Sequence, residues 1–210
     1  MKATYKIFWL TLLWAHSAGV FAQTNRQSRG VQHWKADKLT ITLKDELNHP
    51  AFSWPLSLLH YKVDFGPSGI QPSTLTLVEQ ETGRELPFQL EQPNVKNDRV
   101  YSATLAFYTD LPTGGNKTFV LRKSKKNDQA ANHKRYFSIV KTAEVYQIKN
   151  GFVQFEIPAP GSKKLVAPIV RFGPSGKWIG NGELTAEKNF RTISVKELSS
   201  GPVQVAYEIT

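Results

Sequence analysis

Leu59-His60-Tyr61-Lys62-Val63-Asp64-Phe65 places an apolar side chain at every second position. Successive side chains of a strand point to opposite faces, so this period of two predicts a half-buried β-strand. The pattern recurs on both sides. Upstream, Leu39, Ile41 and Leu43 alternate with polar residues across Lys38–Lys44. Downstream, Leu75 and Leu77 lead to the turn Glu81-Thr82-Gly83-Arg84, and Leu86, Phe88 and Leu90 continue beyond it. Tyr101, Ala103, Leu105 and Phe107 precede the turn at residues 110–115, with Phe119 and Leu121 after it. Tyr146 and Ile148 run into Asn150-Gly151, a hairpin signal because both residues tolerate positive φ. Val153, Phe155 and Ile157 return, and Val203, Val205, Tyr207 and Ile209 form the last run. No helical period occurs beyond the first residues. The expected fold is all-β with about a dozen strands, a small β-barrel or sandwich module followed by the start of a second β-sandwich.

Composition narrows the chemistry. The chain has 210 residues, a formal net charge of +10 and no cysteine. Disulfides, thiolate metal sites and a cysteine nucleophile are therefore excluded. Hydrophobic residues at 40% and charged residues at 21% place the chain with globular rather than disordered proteins.

The N-terminus reads as a secretory leader. Lys2 and Lys6 precede the apolar run 7–14, small residues follow, and Val20 and Ala22 stand at −3 and −1 of a cut before Gln23. The run is shorter than the roughly 20 residues a membrane span needs. Residues 1–22 are thus expected to be removed, leaving a chain secreted or periplasmic, without membrane insertion, at net charge +8. Residues 23–37 read as a mobile tail and 38–122 as the first β module. Residues 123–135 hold many basic and no large apolar side chains and read as a solvated linker. Residues 136–210 form the second β module, read as incomplete.

No catalytic motif emerges. His33, His49, His60 and His133 lie apart, without metal-ligand spacing. Glu79, Glu81, Glu183 and Glu187 could serve acid–base chemistry, but nothing in the sequence pairs any two. A nucleophile elbow is absent, and residues 112–118 lack the glycine spacing of a phosphate loop. No cofactor is expected. Phe-Gly-Pro-Ser-Gly occurs twice, at 65–69 and 172–176, and the flanks do not match, so two independent turns is the plainer reading than a duplication.

Binding residues are the better prospect. Trp34, Trp54 and Trp178 remain after the leader. Trp178, in Gly176-Lys177-Trp178-Ile179-Gly180, lies between turn residues where an indole can stay partly exposed. Such a ring offers a flat face to a sugar, and Lys177 can hold a uronate carboxylate; filling a β core is the alternative role for each Trp. His60 alternates away from Leu59 and Tyr61 and can line a groove on its strand. Trp178, Lys177 and His60 are therefore the candidate glycan-binding residues. The basic balance suits an acidic polysaccharide, whereas export and the lack of any recognised motif argue against nucleic acid. Solubility alone also accounts for the charge.

One resemblance covers residues 38–210. It rests on Ser53-Trp54-Pro55-Leu56, Tyr61-Lys62-Val63-Asp64-Phe65, Thr82-Gly83-Arg84-Glu85-Leu86-Pro87-Phe88-Gln89-Leu90, Asp110-Leu111-Pro112, Lys149-Asn150-Gly151-Phe152-Val153 and Gly201-Pro202-Val203. This order resembles the N-terminal β region of large secreted bacterial carbohydrate-active proteins akin to exo-rhamnogalacturonan lyases, in which a β-barrel precedes a β-sandwich and a helical toroid. It is also similar to β-domains of α-mannosidase-like glycoside hydrolases. The resemblance implies a longer parent, with this chain its non-catalytic front portion, and it transfers no catalytic residue. A free-standing exported glycan-binding or adhesion module is the alternative.

Overall fold

The structure is a computed structural model that describes residues 30–124, 135–162, 167–182 and 194–210. The leader read at 1–22, most of the basic linker and residues Glu183 and Glu187 lie outside the described residues. The described chain is all-β: fifteen strands and a single 3-10 turn, Pro72–Thr74. No helix among the described residues is long and apolar enough to cross a membrane. The chain divides into two compact units between Lys134 and Arg135.

The first unit contains two four-stranded sheets. One has the order β1 (Gln32–His33), β3 (Trp54–Asp64), β7 (Arg99–Leu111), β6 (Phe88–Lys96). The other has the order β2 (Lys38–Lys44), β8 (Asn116–Lys123), β4 (Leu75–Glu79), β5 (Glu85–Leu86). The alternating positions supply one shared core: Tyr61, Val63, Leu105 and Phe107 from the first sheet meet Leu39, Ile41, Leu77, Phe119 and Leu121 from the second. The Phe107 and Phe119 rings touch across it at 5.0 Å between centroids. This is a β-sandwich.

Two details depart from the alternation read in sequence. The run through Leu86, Phe88 and Leu90 is not one strand, because it breaks at Pro87 into β5 and β6 of different sheets. A proline has no N–H to give to a ladder, so the chain crosses there. The expected mobile tail also ends early. Gln32 and His33 pair in parallel with Val63 and Asp64, and Trp34 packs on the core beside Phe65.

The second unit holds a five-stranded antiparallel sheet: β13 (Gly180–Asn181), β12 (Arg171–Pro174), β11 (Val153–Pro158), β10 (Val145–Lys149), β9 (Ser138–Lys141). A separate pair, β14 (Val195–Ser200) and β15 (Val205–Ile209), faces it over Ile148, Ile157 and Val195. The hairpin between β10 and β11 falls where Asn150-Gly151 predicts it, by another mechanism. Neither residue has positive φ. Instead Asn150 Oδ1 accepts the N–H groups of Phe152 and Val153, both at 2.8 Å, and the side chain folds the turn.

Candidate functional site

Trp178 is placed by three neighbouring elements of the second unit. Strand register sets Glu156 of β11 opposite Arg171 of β12. Arg171 donates to Glu156 through Nε at 2.7 Å and Nη2 at 2.8 Å, a two-pronged pair against a buried carboxylate. The guanidinium carbon in turn lies 4.2 Å from the centroid of the Trp178 ring. The stack therefore runs Glu156, Arg171, Trp178. A guanidinium fixed by a carboxylate is a rigid platform for an indole, and its attraction to the ring face is itself worth about 0.5–2 kcal/mol.

The loop that carries the ring is closed at both ends. Lys177 N–H donates to the Pro174 carbonyl at 3.0 Å, and Ile179 N–H to the Phe172 carbonyl at 3.1 Å. Gln154, buried on β11, accepts the Gly176 N–H at 3.2 Å. Between these ties Lys177 is exposed and Trp178 half-buried. Trp178 is neither a core filler nor a free surface ring, since one face is taken by Arg171. Pairing with Glu156, chiefly through the hydrogen bonds, holds the Arg171 guanidinium more firmly protonated than usual. Around this loop Phe152, Phe172 and Ile179 are exposed, and Phe172 also lines an apolar cavity of ≈ 220 Å³ with Ala167, Pro168, Ile169 and Gly182.

His60 belongs to the other unit. It stands on β3, on the face turned away from the sandwich core, with Nε2 3.5 Å from Glu91 Oε2. The three residues named from sequence are thus divided: Lys177 and Trp178 together in the second unit, His60 in the first. Trp34 packs on the first core, and Trp54, at the start of β3, gives its Nε1–H to Asp45 at 3.4 Å. Sequence reasoning missed Arg171 and Glu156. Their signal is a cross-strand register, and register is set by how two distant strands align.

Of the four carboxylates with acid–base potential, the two within the described residues are engaged: Glu79 by neighbouring side chains and Glu81 through Oε1, which accepts the Thr118 N–H at 2.8 Å. Burial pushes the Glu79 carboxyl up, but the Thr82 hydroxyl, Arg84 and Lys117 outweigh it and hold it below the usual range. Among the described residues no three His, Asp or Glu converge as metal ligands. Compared with known proteins, the chain matches no protein-family model and no curated protein.

Proposed function

We propose that this chain is a non-catalytic, exported β module that contacts acidic polysaccharide through its second unit, in the manner of the front region of an exo-rhamnogalacturonan lyase-like protein. The observation that carries the reading is the Trp178 ring, held half-exposed by the Arg171 guanidinium beside exposed Lys177. A ring already oriented by its own platform loses little freedom when a sugar lies against its edge or open face. Glu156 engages Nε and Nη2 of Arg171, so Nη1 stays outside that pair and has N–H groups for a uronate carboxylate.

Charge distribution supports the same unit. Residues 30–124 carry ten Lys and Arg against ten Asp and Glu, whereas residues 135–210 carry ten against six. A polyanion is thus drawn to the second unit and not to the first. The leader at 1–22 supports export, which N-terminal sequencing of the exported protein checks by finding Gln23 first.

Affinity electrophoresis in gels containing polygalacturonate, with a neutral glucan as control, tests the contact. Retardation is expected in the charged gel alone. It should weaken steeply as the screening length falls from ~10 Å at 0.1 M salt to ~3 Å at 1 M. Lys177→Ala should lower the salt-sensitive part and Trp178→Ala the residue that survives salt. Equal migration in both gels refutes the proposal.

A further inference from the structure

Glu91 is a buried carboxyl on the outer face of the first sandwich. Strand register aligns Gln89, Ala106 and His60 in one row across β6, β7 and β3, and Glu91, Thr104 and Lys62 in the next. The core residues Tyr61, Leu105 and Phe107 alternate to the opposite face. The Glu91 side chain is 10% exposed, its Oε2 stands 3.5 Å from His60 Nε2, and its Oε1 is buried with no hydrogen-bond partner among the described residues.

An ionised carboxylate out of water needs donors on both oxygens, and a lone unmet one is costly. Among the described residues, Glu91 has one ion-pair partner, His60, on one oxygen. A neutral carboxyl suits this setting better, because neither oxygen then carries charge out of water, and Oε2 can still share a hydrogen bond with His60 Nε2, as donor to the neutral ring or acceptor from the charged one. Burial pushes the Glu91 carboxyl up, with the His60 charge opposing in part. Other titratable groups on this face are Lys62, which is exposed, Asp64, which lies 3.5 Å from His33 of β1, and Tyr108, whose phenol burial also pushes up and so keeps uncharged.

Position along the strand gives this group its effect. Glu91 pairs with Thr104, and the β6 register then slips before Asn94 meets Ser102, with Gln92 at φ 47°. Beyond Glu91, residues 92–96 of β6 are exposed. Glu91 is the last side chain that fastens β6 before its bulge. We propose that Glu91 and His60 form a proton-operated latch, in which a neutral Glu91 bonded to His60 secures the bulged end of β6 and loss of the proton loosens it.

The sign follows from linkage. A carboxyl that binds its proton more tightly folded than unfolded stabilises below the ordinary Glu value of 4.5, and that gain is lost as pH rises through the raised value. Within that window local opening should increase by up to about tenfold per pH unit for one proton. Hydrogen exchange of the full chain across pH, corrected for intrinsic rates, measures this on the amides of β6 and β7 around Glu91. Opening there should rise with pH, stay flat in Glu91→Gln, and show no such slope on the β2–β8 ladder. A β6 end whose opening ignores pH, or a Glu91→Gln chain with the unaltered slope, overturns the latch. Should that variant not fold, the Glu91 carboxyl carbon titration in the unaltered chain decides. A midpoint above 4.5 supports the latch, and one at or below it overturns it.

Discussion

The same five residues, Phe-Gly-Pro-Ser-Gly, occur once in each unit and are folded differently. In the first unit Phe65 is 4% exposed and its ring meets Trp34 at 5.6 Å. The turn closes with Gly69 N–H on the Gly66 carbonyl. In the second unit Phe172 is 48% exposed and belongs to β12, and the turn closes one residue later, with Lys177 N–H on the Pro174 carbonyl. Proline and glycine specify that the chain turns, and the surroundings decide where. The first copy leaves β3 beside a sandwich with sixteen buried core residues, whereas the second lies over a cluster of three among the described residues. The two copies are independent turns, each fitted to its own sheet.

The largest expected effect is the loss of the buried ring. Phe65→Ala should destabilise the first unit by about 3–5 kcal/mol, the usual cost of emptying a core aromatic site. Phe172→Ala should cost roughly 1–2 kcal/mol, because a half-exposed ring buries far less area. Urea unfolding of both variants, followed by resolved amide signals from each unit, compares them. Equal losses would break the contrast between the copies.

The second glycine of the comparison comes next. A Cβ at Gly173 would collide with the Lys177 carbonyl, so the strand and the loop that returns over it need the bare backbone. Gly173→Ala should cost about 1–3 kcal/mol through the forced shift. It should also displace the indole N–H resonance of Trp178, whose loop is the part that must move. An unchanged Trp178 signal would separate the loop from its glycine.

Much of this architecture is legible in the sequence, since alternation alone marks most of the strands. What alternation cannot carry is the assignment of strands to sheets. Leu86 and Phe88 continue one apolar rhythm, yet a single proline sends them to opposite layers. The hairpin between β6 and β7 was equally hidden. Asn97 and Asp98 sit there at φ 50° and 57°, a pair of residues that tolerate the left-handed region without glycine. At the candidate site, Lys177 and Trp178 are neighbours in sequence and could be read together. Glu156 and Arg171 become neighbours only through pairing of β11 with β12, and Glu91 reaches His60 only across β7.

A smaller effect sharpens the comparison from the other side. Gly66 has φ 76° and nothing within 4 Å of a Cβ, so Gly66→Ala adds strain without collision. Its cost should be about 1 kcal/mol, the difference between Gly and an L-residue in that region. Thermal unfolding resolved by unit should place the loss in the first unit and leave the second unchanged. A loss as large as that of Gly173→Ala would mean that conformation, and not close approach, governs both copies.

The smallest effect separates the units by pH. Asp45, Glu79 and Asp110, all in the first unit, have carboxyls held below the usual range. For Asp45 the leading cause is the Gly114 N–H, donated to Oδ2 at 2.8 Å; for Asp110 it is the Lys117 ammonium. A group that holds its proton less tightly folded than unfolded contributes stability above its ordinary value and loses it as pH falls through the lowered one. The first unit should therefore weaken on acidification below the ordinary range of 3.8 for Asp and 4.5 for Glu. The Asp110 contribution is modest because its side chain is 60% exposed and solvent screens it. Glu91 bears the opposite sign, so acid should tighten the bulged end of β6 while loosening the loops at Asp45 and Glu79. Hydrogen exchange measured from neutral pH down through that range distinguishes the two. Uniform loosening of the whole first unit would show that its carboxylates act through net charge alone, and not through the partners named here.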